Sequence, residues 1–149
     1  NRVLGDTNNI INLKIKSALK KKLKIIFCIG ETLKEKRNNK TNSILNSQII
    51  NGLKNIKKNN NIIFAYEPVW SIGTGIIPKN LELTKNINNI KKILNKLKKS
   101  IKPKVLYGGS VNPKNVKELA QIKEINGFLV GGSSLSAKKF IDIIQKSIN

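Results

Sequence analysis

The sequence predicts an α/β fold with a parallel sheet, and three observations support this prediction. Four short runs of branched or aromatic residues alternate with longer runs in which apolar residues recur at helical spacing, and this alternation is typical of parallel strands joined by crossover helices. The short runs are apolar at every position, which favours burial on both faces of a sheet. Glycine and polar residues follow all four runs, where parallel α/β folds place their functional sites.

The predicted elements follow one another along the chain as strands and helices. Strands are expected at residues 25–29, 61–66, 104–107 and 127–130, where branched and aromatic residues gather. Helices are expected where a side chain can cap free N–H groups, or where a proline suits a first turn. The expected first or capping residues are Asp6 or Thr7, Thr41, Asn80, Pro113 and Ser136.

The spacing of apolar residues predicts the extent and the inward face of each helix. The first helix is expected within residues 3–23, the second from 41 to about 56, and the long helix from 80 to about 99. In the last helix the residues expected to face inward are Phe140, Ile141 and Ile144.

Length and composition predict one globular unit that spans residues 1–149. Of the 149 residues, 39% are hydrophobic and 25% are charged, which is enough for one domain with a core. No linker or repeat divides the chain, no apolar run approaches the ~20 residues of a membrane span, and no secretory signal is evident. The lone Cys28 cannot form an internal disulfide. These features predict a cytoplasmic protein that does not act at a membrane.

The net charge is 29 − 8 = +21, which by itself suggests nucleic acid as a partner. Nearly all the basic residues are lysines, whereas arginine usually leads in phosphate and base recognition. Lysine, asparagine and isoleucine are abundant together, as the coding bias of an AT-rich genome would give. We therefore expect no nucleic-acid partner. The chain contains no histidine and no methionine, and because it begins at Asn1 we expect it to be a fragment.

An acid, Glu67, directly follows the second predicted strand. Pro68 stops the strand because it has no N–H to donate, and the loop beyond it has Gly73 and Gly75 on either side of a threonine. An isolated Glu-Pro pair favours a simple turn. The longer string of residues 65–75, AYEPVWSIGTG, closely resembles the motif of strand six and loop six in the triosephosphate isomerase family.

Three further motifs resemble the same family, in the same order and at suitable spacing. They are CIGETL at 28–33, LYGGSV at 106–111 and FLVGGSSL at 128–135. The resemblance implies a (β/α)8 TIM barrel, of which this chain would supply strands five to eight, the C-terminal half. Such barrels have about 250 residues, so roughly 100 would precede this chain, including a catalytic histidine, an asparagine–lysine substrate contact and most of a homodimer interface.

The resemblance also implies a reaction and a set of site residues. The reaction interconverts dihydroxyacetone phosphate and glyceraldehyde 3-phosphate through an enediol(ate), with Glu67 as the base that moves the proton. No metal or cofactor is implied. The implied substrate-binding residues are Gly73, Ser110, Gly131 and Gly132. The residues implied to hold the loop, or to exclude water from the carboxylate, are Glu31, Trp70, Ile72, Tyr107 and Leu129.

Several simpler interpretations stay open. The glycine pairs at 108–109 and 131–132 each suit an ordinary turn, Ile72 and Leu129 suit plain packing, and Cys28 suits a small buried strand residue. The chain departs from the family where loop six ends in Ile-Ile-Pro at 76–78, and where Lys36 replaces the usual arginine. The alternative functions are a basic nucleic-acid-associated protein, supported by charge alone, and an inert half-barrel, which four intact motifs disfavour.

Overall fold

Three strands form one parallel sheet in the order in which they occur in the chain. The structure, a computed structural model, describes residues 5–57, 61–97 and 103–148. The strands are β1 (Ile25–Ile29), β2 (Ile62–Tyr66) and β3 (Val105–Tyr107). The register places Ile29 opposite Tyr66, and Tyr66 opposite Tyr107. The carboxyl ends of the strands therefore meet at one edge, and the predicted α/β class with a parallel sheet is confirmed.

Six helices of the described residues accompany this sheet. They are α1 (Asn8–Lys20), α2 (Leu33–Arg37), α3 (Thr41–Gly52), α4 (Asn80–Lys96), α5 (Val116–Ala120) and α6 (Ala137–Ile148). Two short 3-10 turns, at Val69–Ser71 and Gly132–Leu135, follow β2 and precede α6. The caps of Thr7 and Ser136 are confirmed, since each hydroxyl accepts a hydrogen bond from the N–H three residues later.

The helix starts at Thr41, Asn80 and Pro113 are shifted from the predictions. Lys40 and Lys79 occupy the N-cap positions of α3 and α4 without a side-chain hydrogen bond, so Thr41 and Asn80 are the first helical residues and not the caps. Pro113 lies in a turn, and α5 begins only at Val116. Helix α3 ends at Gly52 rather than near residue 56, and the predicted end of the long helix at Lys99 lies outside the described residues.

The sequence did not predict α2, a five-residue helix after β1. Thr32 caps it through a reciprocal arrangement: its Oγ1 accepts from the Glu35 N–H (3.3 Å), and the Glu35 carboxylate accepts from the Thr32 N–H (2.7 Å). This capping box satisfies N–H groups that a short helix would otherwise leave free. The pattern was visible in the sequence as Thr-x-x-Glu.

The predicted fourth strand at 127–130 is wrong as a full strand. Only one bridge, between Tyr107 and Phe128, joins this segment to β3. Gly127 has φ +145°, a conformation that glycine adopts and that breaks a regular ladder at this point. The described sheet therefore has three strands and one further bridge.

The core lies between the sheet and helices α3 and α4. Strand β2 is central, and Leu45, Ile49, Ile87 and Leu94 of the two helices are fully buried, as their helical spacing predicted. Burial on both faces is confirmed for β2 but is wrong for β1, where Ile26 is 47% exposed and Cys28 is exposed as well. The reason is position: β1 is an edge strand, and the face that carries these two residues borders a cavity.

The last helix packs with a different face from the one predicted. Ile143 is its buried residue at 2% exposure, whereas Phe140, Ile141 and Ile144 are each at least 39% exposed. The helix packs against α5 and the turn at 132–135, and Ile143 belongs to the hydrophobic core. Phe140 and Ile144, together with Ile143, border a second cavity of about 380 Å³ between α6 and the 125–130 segment.

Within the described parts of the chain, no helix combines the length and the apolar character needed to cross a bilayer. The same residues contain no cluster of three potential metal ligands among histidine, cysteine, aspartate and glutamate.

Candidate active site

The carboxyl edge of the sheet brings the predicted acid to the loops that follow the neighbouring strands. The Glu67 N–H donates to the Ile29 carbonyl of β1 (2.7 Å), and the Gly108 N–H donates to the Tyr66 carbonyl of β2 (2.9 Å). The Leu129 N–H donates in turn to the Tyr107 carbonyl (2.9 Å). The ladder therefore continues past the strand ends and fixes Glu67 between the two flanking loops.

Two glycines allow the backbone and the side chain of Glu67 to fit this space. A Cβ on Gly108 would lie 2.5 Å from Glu67 Cγ and 2.8 Å from its Oε1. A Cβ on Gly30 would collide with the Glu67 carbonyl. The glycine at 108 thus serves more than a tight turn: it leaves room for the half-buried carboxylate.

Glu67 borders a cavity of about 460 Å³ that lies mostly between β1 and α1. Ile72 of the following loop and Cys28 of β1 line the same cavity. Ile72 is 50% exposed, so about half of its surface is not covered by the described residues. Leu129 is half-buried and is held by its backbone bond to Tyr107. The structure therefore brings Ile72 to the cavity beside the acid, and does not place Leu129 among the described residues that line it.

Cys28 is not the buried residue that the sequence predicted, because its side chain borders the cavity. One side of the Cys28 side chain borders the cavity, and the rest is buried against other parts of the protein. This burial, together with a hydrogen bond to the negative Glu67 carboxylate, raises the pKa of Cys28 to about 12. The thiol is consequently protonated at neutral pH and is a poor nucleophile.

The base of the loop is fixed by a buried acid, Glu31. Its Oε1 accepts from Trp70 Nε1 (2.9 Å), and both carboxylate oxygens lie 3.2 Å from the Tyr66 hydroxyl. Asn86 Nδ2 donates to the same hydroxyl (2.8 Å). Burial raises the pKa of Glu31, and the hydrogen bond from Trp70 is the largest opposing effect. Glu31 and Trp70, the two residues expected at the base of the loop, are thus hydrogen-bonded to each other.

The raised pKa of Glu31 gives a testable pH dependence of stability. The folded state binds the proton of the Glu31 carboxyl group more tightly than the unfolded state does. The stabilisation of the folded state by this bound proton is therefore complete below pH 4.5, and it is lost as the pH rises through the raised pKa of the folded state. Urea unfolding measures the free energy of unfolding of the parent and of Glu31→Gln at each pH. As the pH rises across this range, the free energy of unfolding of the parent should fall relative to that of Glu31→Gln. A constant difference would mean that Glu31 does not titrate in this way.

Lys36, which stands where the family usually has an arginine, contacts Trp70 and Glu82 at the edge of this network. Its Nζ lies 3.7 Å from the centre of the Trp70 ring and 2.7 Å from Glu82 Oε1. A lysine over an indole ring gains from the cation–π interaction. The ion pair is about one-third exposed, so we expect it to contribute little to stability.

The far part of the loop is hydrogen-bonded to the segment after β3. The Gly75 N–H donates to Ser110 Oγ (2.9 Å), and Ser110 Oγ donates to the Ser71 carbonyl (2.7 Å). Thr74 Oγ1 closes the loop on itself by donating to the Trp70 carbonyl (3.2 Å). Ser110 therefore holds the loop in this structure.

The glycines predicted to bind an anion are exposed at the same edge. Gly73 has φ +71° and Gly75 has φ +78°, a left-handed conformation that favours glycine. Gly131 and Gly132 precede and begin the short turn before α6, and Ser133 Oγ links this turn to the Val111 carbonyl (2.9 Å). The loops after β2, β3 and the 128–130 segment are thereby connected by hydrogen bonds.

Two polar residues that support the site were not predicted from the sequence. Gln48 of α3 is buried, and its amide pairs with both the N–H and the carbonyl of Gly30 at 2.8 Å, which fixes the segment that carries Glu31. Ser71 is fully buried between Tyr107 and the loop. For Gln48, the only signal in the sequence was a polar residue on an otherwise apolar helix face. For Ser71, nothing in the sequence signalled its supporting role.

The described residues thus form a parallel α/β fold in which an acid follows the central strand at the root of a glycine-containing loop. The family model described as "Triosephosphate isomerase" matches residues 1–147. The chain therefore belongs to the triosephosphate isomerase family.

Proteins named triosephosphate isomerase from several organisms are similar to this chain. The protein of Thermodesulfovibrio yellowstonii is 42% identical over 144 residues, which are 94% of this chain and 58% of that protein. That of Mycoplasmoides gallisepticum is 43% identical, with 97% of this chain and 59% of the relative covered. A fungal relative, from Coprinopsis cinerea, is 41% identical and 57% covered. The chain thus spans somewhat under three fifths of the length of these relatives.

Proposed function

We propose that the chain is part of a triose-phosphate isomerase that interconverts dihydroxyacetone phosphate and D-glyceraldehyde 3-phosphate. The observation that carries this proposal is the position of Glu67: its carboxylate borders a cavity and lies at the root of a loop that hydrogen-bonds to Ser110. Triosephosphate isomerase is itself a familiar case of a carboxylate base beneath a closing loop.

Glu67 is the base in the proposed mechanism. Its carboxylate takes a proton from the carbon next to the substrate carbonyl and returns it to the neighbouring carbon, through an enediol(ate). The backbone bond from Glu67 N–H to Ile29 and the close fit against Gly108 fix where the carboxylate can reach. Ile72, on the same cavity, would exclude water when the loop covers a substrate.

The part of the phosphate site that this chain supplies is proposed to consist of backbone N–H groups. Within the described residues, the Gly73 N–H has no protein acceptor, so it is available to an anion. Ser110, Gly131 and Gly132 complete the proposed phosphate site, and the absence of Cβ atoms at the glycines allows a phosphate to approach the backbone closely. The proposed loop-holding residues are Trp70, Tyr107 and Glu31, and Leu129 is proposed, like Ile72, to exclude water from the Glu67 carboxylate.

The complete protein is proposed to be a (β/α)8 barrel, in which this chain forms the C-terminal half, and to act as a cytoplasmic homodimer without a cofactor. The described residues supply three parallel strands and a bridge. Strand β1 is an edge of the described sheet, and the backbone N–H and C=O groups of an edge strand can pair with a further strand. The proposed role is in glycolysis and gluconeogenesis.

A chimera tests the proposal directly. The 149 residues contain no histidine, so we expect them alone to lack the group that polarises the substrate carbonyl and to show no useful activity. Joining them to the first two fifths of the Mycoplasmoides gallisepticum relative, which this chain does not cover, should give an active isomerase, measured with glyceraldehyde 3-phosphate. We call this chimera the completed protein.

The intact relative serves as the control for the assay. A completed protein that folds, as judged by cooperative thermal unfolding, but remains inactive beside an active relative would contradict the proposed function. Turnover by the 149 residues alone, at a rate near that of the relative, would contradict the expectation that the histidine is required.

A further inference from the structure

Ser71 is a polar residue that is fully buried at the base of the loop. It is the last residue of the turn at Val69–Ser71, and its exposure is 0%, whereas the next five residues, 72–76, are all exposed. Buried hydroxyl groups are normally hydrogen-bonded.

The Ser71 hydroxyl connects three separate segments. Its Oγ donates to the Ile76 carbonyl at the far end of the loop (2.6 Å), lies 2.9 Å from the Tyr107 hydroxyl of β3, and accepts from the Ser110 N–H (3.3 Å). A serine hydroxyl has one proton and two lone pairs. Since the proton goes to Ile76, the Tyr107 hydroxyl donates to Ser71, and all three hydrogen-bonding positions of Ser71 are used.

The Ser71 main chain belongs to the same arrangement. Its carbonyl accepts a hydrogen bond from Ser110 Oγ (2.7 Å). Ser110 Oγ in turn accepts a hydrogen bond from the Gly75 N–H (2.9 Å). Gly75 is therefore held by a path through Ser110, while its neighbour Ile76 is held directly by the Ser71 hydroxyl. Together these bonds form a closed ring that includes both ends of the loop.

The backbone of the segment after β3 is shaped for this contact. A Cβ on Gly109 would collide with the Tyr107 hydroxyl and would lie 2.5 Å from Ser71 Oγ. Gly109 thus leaves the space in which the two hydroxyl groups meet. An alanine at 71 would leave the Ile76 carbonyl, the Ser110 N–H and the Tyr107 hydroxyl without this common partner.

We infer that Ser71 is a positioning residue whose hydroxyl couples both ends of the loop at 72–76 to the segment after β3. It holds Ile72 beside the Glu67 cavity and the Gly73 N–H at its exposed position, by fixing the residues on either side of them. The catalytic consequence rests on the proposed function, but the coupling itself is a property of the loop without substrate.

Hydrogen exchange of single amides, followed by NMR on the 149-residue chain, tests the coupling without any ligand. The informative amide is Gly75, because its N–H bonds to Ser110 and does not touch the Ser71 hydroxyl. Ser71→Ala should speed exchange of both the Ser110 and the Gly75 amides by about tenfold, the factor expected for the loss of one ordinary hydrogen bond. The β2 amides, which lie in the core, should keep their protection.

Ser43→Ala is the matched control, because Ser43 also donates its hydroxyl to a backbone carbonyl, that of Lys40 (2.8 Å), but lies on α3. It should leave the Gly75 amide unchanged. Faster exchange at Ser110 alone, with Gly75 unchanged, would overturn the inference, because Ser71 would then make only a local bond.

A second variant is needed if Ser71→Ala also speeds exchange of the β2 amides, because that result would mean that the core itself has loosened. Tyr107→Phe retains the ring and removes only the hydroxyl that donates to Ser71, and it should speed Gly75 exchange severalfold. An unchanged Gly75 amide in Tyr107→Phe would overturn the inference. Because no substrate is used, a failed isomerase assay would count against the proposed function and not against this coupling.

Discussion

Replacing Glu67 by glutamine in the completed protein is expected to lower kcat by at least about 10²–10⁴-fold, the usual contribution of a general base. Glutamine retains the size of the side chain and much of its hydrogen bonding, but it cannot accept the proton. KM should change little, because the proposed phosphate site at Gly73, Ser110, Gly131 and Gly132 is untouched. Steady-state kinetics with glyceraldehyde 3-phosphate measure both constants.

Glu67→Asp is the graded control for this prediction. It keeps a carboxylate but withdraws it by about one bond, so its kcat should fall between those of the parent and Glu67→Gln. If Glu67→Gln kept a kcat within about threefold of the parent, the assignment of Glu67 as the base would be wrong. The same result would remove the main support for transferring the mechanism to this chain.

The strands could be predicted from the sequence because each is a continuous run of apolar residues. β1 matches its predicted bounds, and β2 and β3 each begin one residue later than expected. Branched and aromatic runs of this length have few alternatives in an α/β pattern. The predicted site residues that follow these strands, Glu31, Glu67 and Ser110, consequently lie at one edge of the sheet.

The helix faces and caps were less predictable, because they depend on packing partners distant in sequence. In α6, the apolar residues Phe140, Ile141, Ile143 and Ile144 surround much of the helix, and its packing against α5 and the turn at 132–135 leaves Ile143 as the buried residue. Lys40 and Lys79 take N-cap positions without a capping bond, against their low preference for these positions.

The support around the site was hidden from sequence reasoning for a related reason. The Ser71 hydroxyl bonds to residues five, 36 and 39 positions away, and Gln48 reaches Gly30 across 18. No local pattern marks such pairs. The motif supplied the position of Ser71 but not its role, which depends on how closely Gly109 lets the backbone approach.

Gly108→Ala should impair catalysis through Glu67 without touching the acid itself. The added Cβ would lie 2.5 Å from Glu67 Cγ and 2.8 Å from Oε1, closer than atoms can approach, so the carboxylate has to move. A displacement of about 1 Å at a reacting group can cost about 10²-fold in rate. We therefore expect kcat of the completed protein to fall by about that factor, with KM nearly unchanged.

Gly127→Ala is the matched control, because it strains the backbone at φ +145° and meets Leu106 at 3.2 Å, away from Glu67. It should lower the unfolding temperature and leave kcat largely intact. If Gly108→Ala instead lowered the unfolding temperature as Gly127→Ala does and left kcat at the parental value, Gly108 would be an ordinary turn glycine, and the placement of the base would not depend on it.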